Sequence, residues 1–305
     1  MKVVVTGGAG YIGAELCAVL ARDRRVEELV VYDLLERGHY GLFMGPKLGK
    51  AKVRFVQGDV LDSRRLEQEL KGADLVYHLA AKVITPFADA GSSQFEQVNH
   101  WGTAEVVYAI EAVAPEARVV YLSSASVYGQ GTGSALSEAN PSPRSAYGHS
   151  KLRGEAHMDR LGDHRQVVVL RSANVYGHGR CMRFDAVINR FVFQAHFQGR
   201  ITVRGTGMQK RPFIHLDAVV ATLASLVDNH SLAGTFDLAE QNRSVIDLVE
   251  ALRSPWPDTE LLFVDQHLDL MSLEVQRDPR LAGIQPVRTI SMTDDLRELA
   301  GKFAW

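Results

Sequence analysis

The chain has almost no cysteine: Cys17 and Cys181 are its two, and neither sits in a CxxC or other metal-ligand spacing. That argues against a disulfide-stapled secreted scaffold and against a structural zinc site. Also missing is any apolar run near the roughly 20 residues that a membrane-spanning helix requires. An excess of charge of one sign is absent too, since 34 basic residues face 36 acidic ones for a net charge of −2. No global field therefore draws in nucleic acid or an anionic membrane. What is there is an ordinary globular composition, 46% hydrophobic and 23% charged over 305 residues, enough for a large core and one or two domains. The first apolar strand begins at residue 2, leaving no room for a cleavable signal, so a soluble, cytoplasmic protein is expected.

Short β-branched runs alternate with helical stretches up to about residue 171, which is the pattern of βαβ units. The runs predict strands at Val3–Thr6, Leu29–Asp33, Val53–Gln57, Leu75–Leu79, Val119–Ser123 and Val167–Arg171. Several are too continuously apolar for a sheet with one wet face, so helices must cover both sides. Three-to-four spacing predicts those helices at Ile12–Arg22, Ser63–Leu70, Phe95–Val113 and Ala146–Leu161. The fold class is α/β: a Rossmann-type, doubly wound parallel sheet over residues 1–171, with a smaller substrate-binding lobe over 172–305. Segments near 201–228, including a helix at Asp217–Val227, are expected to return to the first domain, and a capped helix begins near Ser244. From Arg171 to Arg211 eight basic residues face a single acid, Asp185; such a cationic stretch suits a phosphorylated substrate.

Three short strings carry the chemistry. GGAGYIG spans Gly7 to Gly13 between a strand and a helix, and Asp33 closes the next strand 20 residues beyond Gly13. Glycines at 7, 10 and 13 let backbone approach a pyrophosphate at the positive end of a helix. A carboxylate at Asp33 accepts a ribose 2′-hydroxyl and repels a 2′-phosphate, which favours NAD over NADP. LSSASVYG follows at Leu122 to Gly129, and YGHSK at Tyr147 to Lys151. Four residues apart on a helix, Tyr147 and Lys151 share a face and converge on one reacting hydroxyl. Bringing a tyrosine from about 10 to near 7 requires roughly 4 kcal/mol of phenolate stabilisation, which a nearby ammonium and a cationic nicotinamide could supply. Tyr147 would then move the proton while Ser124 holds the developing carbonyl.

In this order and spacing the chain resembles the extended short-chain dehydrogenase/reductase family, in its nucleotide-sugar epimerase and dehydratase branch. The resemblance also rests on GDV at Gly58 to Val60, HLAA at His78 to Ala81, VNHWGT at Val98 to Thr103, LRSANVYG at Leu170 to Gly177 and QKRPFIHLD at Gln209 to Asp217. It implies that Tyr11 and Ile12 belong to the cofactor turn and that Asp59 and Val60 flank the adenine. It implies too that Leu79, Ala80, Ala81, Asn99 and Ser123 lie along the cofactor beside Tyr147 and Lys151. Ser124 and Ser126 would meet the sugar, and Asn174 and Arg211 would hold the substrate's phosphates. Dimerisation through the helices near 95–113 and 146–161 is implied as well. Pro212 stands where the family usually has an acid, and the pattern fades beyond residue 239.

Members that eliminate water carry an Asp-Glu pair after the serine, and UDP-glucuronate decarboxylases carry a Glu. Here Ala125 and Ser126 occupy those positions, as in 4-epimerases. The reading is thus an NAD-dependent nucleotide-sugar 4-epimerase, oxidising C4 transiently and returning hydride to the opposite face. The alternative is a net NAD-dependent oxidoreductase acting on a sugar or secondary metabolite. His78, His149 and His215 form no metal spacing, and no metal is expected.

Overall fold

A computed structural model describes residues 1–83, 91–129, 141–267 and 270–305. Seven parallel strands form the main sheet: β1 (Lys2–Thr6), β2 (Glu28–Asp33), β3 (Lys52–Gln57), β4 (Leu75–His78), β5 (Arg118–Ser124), β6 (Val167–Ser172) and β10 (Gly234–Leu238). Their spatial order is β10-β6-β5-β4-β1-β2-β3. Successive strand residues face opposite sides, and the apolar runs fill both. Val3, Val5, Leu29, Val31, Leu75 and Tyr77 pack on one face, beneath α1 (Tyr11–Leu20) and α7 (Leu216–Ser225). Val4, Val30, Tyr32, Val76, Val119 and Tyr121 pack on the other, under α2 (Ser63–Leu70), α4 (Gly102–Val113) and α5 (Ala146–Gly162). Chain direction reverses across the sheet between β1 and β4, and such a switch point opens a crevice at the carboxyl ends of the strands.

Two features differ from the sequence expectation. The helix expected at 95–113 is a continuous run, α3 (Ser92–Phe95) and α4, joined through the wider π-type turns of Glu96–Trp101. Periodicity over a long window averages such a bulge away, and bulges of this kind gather at functional sites. The seventh strand, β10, was not marked by a strong apolar run; it pairs with β6 after the chain has visited the second lobe and come back through α7.

That second lobe has its own core. α6 (Val187–Phe193), β8 (Arg200–Arg204), β9 (Lys210–His215), α8 (Val245–Arg253) and α9 (Met292–Ala300) bury Phe191, Val192, Ile201, Val203, Phe213, Leu248, Leu252 and Leu296 together. Ser244 caps α8 with a reciprocal Ser244–Asp247 capping box. β9 lies between β7 (Asn174–Tyr176) and β11 (Gln241–Ser244), which sets Asn174 beside Phe213 and Arg243 beside Arg211. The C-terminal stretch is not confined to this lobe: Leu273, Val275 and Leu281 enter the core beneath the main sheet. Among the described residues no helix is long and apolar enough to cross a membrane.

Because Leu281 is fully buried in the main core, Leu281→Ala is expected to lower unfolding stability by about 2–5 kcal/mol, read by urea denaturation. A loss under about 1 kcal/mol would mean that the C-terminal stretch only lies on the surface.

Candidate active site

The first βα turn is built by what its glycines lack. Gly7 holds φ +72°, and a Cβ on it would fall 2.5 Å from the Ala80 nitrogen; a Cβ on Gly13 would meet the Gly7 carbonyl oxygen at 2.1 Å. No side chain caps α1 at Gly10, so the helix presents its first N–H groups to the cleft. Asp33 clasps this turn: its carboxylate accepts from Ala9 N at 2.9 Å and from Leu35 N at 2.8 Å. A bare backbone cradle, a positive helix end and a strand-end carboxylate are the donor and acceptor set that an NAD pyrophosphate and ribose require.

Gly7, Gly10, Tyr11, Ile12, Gly13, Asp33, Asp59, Val60, Leu79, Ala80 and Ala81 all line one cleft at the strand ends. Arg183, one of the basic residues of the cationic stretch, lines it too, as do Arg37 and Lys82, which no sequence pattern marks. Tyr11 also reaches the second lobe, where its hydroxyl donates to the Gly177 carbonyl at 2.5 Å. Across the cleft mouth Arg37 donates to the Val83 carbonyl at 2.7 Å and pairs with Asp185 at 3.5 Å, and Asp185 in turn accepts from Arg183 Nε at 2.9 Å.

Not every expected residue offers its side chain to this cleft. Ser123 is buried and its hydroxyl donates to Glu155 Oε1 at 2.5 Å, inside the core. Asn99, also buried and set on the π-type turn, accepts from Lys82 N at 2.8 Å and donates to the Lys82 carbonyl at 3.0 Å and to Ser150 Oγ at 3.1 Å. It fixes the chain beyond β4 against the start of α5. Asn174 and Arg211 come together through β7 and β9, Asn174 Nδ2 donating to the Pro212 carbonyl at 3.0 Å. Arg211 donates to the Met271 carbonyl at 2.5 Å, and burial pulls its guanidinium below the ordinary arginine value.

Helix α5, capped by Ser145 at the Gly148 N–H, carries Tyr147, Lys151 and Glu155 on one face. Tyr147 meets the Phe95 ring edge-on at 5.8 Å, and Ser124, half-buried, ends β5 nearby. Burial raises the Tyr147 hydroxyl above its ordinary value, opposed by nearby Ser124 and by the charge of Arg183. Lys151 is 2% exposed, and burial pushes its ammonium down to about 7 against a partial pull upward from Glu155. Glu155 is itself engaged by Arg171, through Nη2 at 2.7 Å and Nε at 3.1 Å. Arg171 continues to the Tyr128 hydroxyl at 3.0 Å, which donates to Asp237 Oδ1 at 2.8 Å. The four-residue spacing that links Tyr147 to Lys151 reaches Glu155 in one more step; Arg183 is placed only by long-range packing.

A lysine that ionises near 7 folded and near 10.5 unfolded binds its proton first in the unfolded chain. Its contribution to stability is therefore present above 10.5 and is lost as pH falls toward 7. Lys151→Met is expected to stabilise the cofactor-free protein by roughly 3–5 kcal/mol at pH 7, the gain fading toward pH 10.5. Denaturant titrations at pH 7, 8.5 and 10 measure this, and a variant less stable than the parent at pH 7 would contradict it.

The comparisons with known proteins agree with this geometry. The chain is 27% identical over 257 residues to mouse dTDP-D-glucose 4,6-dehydratase, covering 82% of this chain and 72% of that protein. It is 29% identical over 266 residues to a Bacillus subtilis protein named as an uncharacterized UDP-glucose epimerase, YtcB, covering 82% and 81%. Among solved structures, MoeE5 in complex with UDP-glucuronic acid and NAD superposes with a TM-score of 0.83 at 25% identity, over 99% of this chain and 98% of that one. UDP-glucuronic acid 4-epimerase from Bacillus cereus has the same fold, at a TM-score of 0.86 and 23% identity over 99% and 98%. With residues 3–238 matching the family model, the chain belongs to the NAD dependent epimerase/dehydratase family, and its cofactor is NAD.

Proposed function

We propose that this enzyme is a nucleotide-sugar 4-epimerase. The observation that carries the reading is half-buried Tyr147 one helical turn before buried Lys151, with half-buried Ser124 followed by Ala125 and Ser126 in place of carboxylates. When bound, NAD supplies an acceptor that takes hydride from a sugar carbon and returns it. Tyr147, half-buried at the cleft, takes the proton of the C4 hydroxyl at its phenolic oxygen and later gives it back. Ser124 holds the same sugar oxygen as it gains carbonyl character. The charge of Arg183 offsets part of the cost of a buried phenolate, and Lys151 would hold the nicotinamide ribose. Gly7, Gly10 and Gly13 seat the cofactor pyrophosphate, and Asp33 receives the ribose. Asp59 and Val60 border the adenine, while Asn174 and Arg211 hold the substrate's phosphates. Arg211, which pairs with no carboxylate among the described residues, suits that last role.

MoeE5 was crystallised with UDP-glucuronic acid and with UDP-glucose, which favours a UDP-hexose or UDP-hexuronic acid as substrate. A 4,6-dehydratase, the name of the mouse relative, is the second reading. Eliminating water demands an acid and a base at the sugar beyond the tyrosine, and neither Ala125 nor Ser126 provides one. A homodimer through α4 and α5 belongs to the same proposal, supported by the exposed Trp101, which ends the π-type turns before α4, and the exposed Tyr108 of α4, at 49% and 47%.

Proton NMR of the protein with UDP-glucose, UDP-glucuronic acid, UDP-N-acetylglucosamine and dTDP-glucose is the test. A new anomeric signal from the C4 epimer, without NADH accumulation, is expected with one UDP-sugar. A 4-keto-6-deoxy product would make the enzyme a dehydratase, and stoichiometric NADH would make it a net oxidoreductase. Tyr147→Phe is expected to lower turnover by about 10²–10⁴-fold with NAD retention on gel filtration unchanged, because only the proton carrier is removed. Turnover within tenfold of the parent would remove Tyr147 from the chemistry.

A further inference from the structure

Beneath Lys151 lies a column of side chains that the reaction does not touch. The Lys151 ammonium sits over the Tyr121 ring, 4.4 Å from its centroid. That ring stacks on the His78 imidazole with centroids 5.4 Å apart and planes inclined by 18°. Lys151, Tyr121, His78, Thr6 and Thr103 are all at most 2% exposed, so water solvates none of them.

The hydrogen bonds fix the state of the imidazole. Thr103 spends its single hydroxyl proton on the Asn99 carbonyl at 2.7 Å, so its oxygen accepts from His78 Nε2 at 3.0 Å. Nδ1 is then left to accept the Thr6 hydroxyl at 2.7 Å. His78 is thereby held neutral, with its proton on Nε2, and burial together with the charge of Lys151 pushes its ionisation down to about 3. The carboxylate that faces Lys151 from its own helix, Glu155, already receives Ser123 and two nitrogens of Arg171. Among the described residues, the other group set against the buried ammonium is the electron-rich face of the Tyr121 ring, supplied from β5 and backed by neutral His78 from β4. Cation–π attraction is strongest where water is excluded.

We propose that Tyr121 is a positioning residue for the reaction: its ring face seats the Lys151 ammonium and, held flat against His78, sets how firmly that lysine keeps its proton. The proposal rests on the role given to Lys151 above, but its test does not require turnover. In protein carrying ¹³C at the lysine ε-carbon, the Lys151 signal is assigned by its absence from Lys151→Met and titrated by NMR. Tyr121→Leu, which keeps apolar bulk and removes the π face, is expected to lower the Lys151 midpoint by about one pH unit, a tenfold loss of proton affinity. Tyr121→Phe, which keeps the face and loses the hydroxyl, is expected to stay within about 0.3 unit of the parent on the same grounds. Equal midpoints in Tyr121→Leu and the parent, or an equal drop in both variants, would overturn the proposal. Should Tyr121→Leu fail to fold, phenylalanine with one to three ring fluorines at position 121 gives the same answer. Those rings keep their shape while the charge of the face is drained, so the midpoint falls stepwise with fluorination, and a constant midpoint would sink the idea.

Discussion

The active-site geometry depends on one buried ion pair, Glu155 with Arg171, side chains 3% and 9% exposed. It joins α5 to β6, and the Ser123 hydroxyl on the same carboxylate joins α5 to β5. A buried pair of this kind adds little net stability over an apolar replacement, but removing one member leaves a stranded charge and costs about 3–5 kcal/mol. Its value is therefore positional. A helix of apolar residues alone could slide or rotate over a smooth β surface, whereas a bidentate arginine and a serine accept one register. With Glu155 fixed, the residues one and two turns earlier, Lys151 and Tyr147, are brought over the ends of β4 and β5. Ser124 is waiting there.

The same logic explains why cofactor and substrate meet at this place. A parallel sheet with helices on both faces leaves only its strand ends open, and at the carboxyl ends the chain turns outward on both sides of the β1–β4 boundary. The glycine turn after β1, Asp33 after β2 and the alanines after β4 supply a cofactor cradle made mostly of backbone. The second lobe, with its own core, brings Arg183 to the cleft. Asp185, held between Arg183 and Arg37, ties that lobe to the loop after β2. Enclosure of this kind suits the proposed epimerisation, in which an oxidised sugar turns over without leaving.

Much of this was legible in the sequence because local patterns encode it. Apolar β-branched runs gave six of the seven strands of the main sheet within a residue or two, and glycines at 7, 10 and 13 marked the turn that only glycine can make. Helical spacing placed Tyr147 and Lys151 on one face. What escaped was set by distant contacts. β10 has a short, mixed sequence and becomes a strand only because β6 presents an open edge. Arg183 lines the cleft from a lobe whose pattern is weak, and Ser123 differs from Ser124 only by the alternation that turns one inward to Glu155 and leaves the other half-buried, accepting from Ser126 N. The family match likewise ends at residue 238, where sequence resemblance fades, yet Leu281 of the following stretch still completes the shared core. The burial that raises the Tyr147 hydroxyl is hidden from sequence for a related reason: spacing shows the ammonium one turn away, whereas burial is a property of the folded site.

The central claim is that one carbon of a nucleotide sugar loses and regains the same hydride under the control of Tyr147. UDP-glucose or UDP-glucuronic acid carrying deuterium at C4 tests it most directly, followed by deuterium and proton NMR in ordinary water. The account predicts a C4 epimer with the deuterium still on C4 and no build-up of reduced cofactor. An epimer that has exchanged its C4 deuterium for solvent hydrogen would contradict it, as would deuterium accumulating in released NADH.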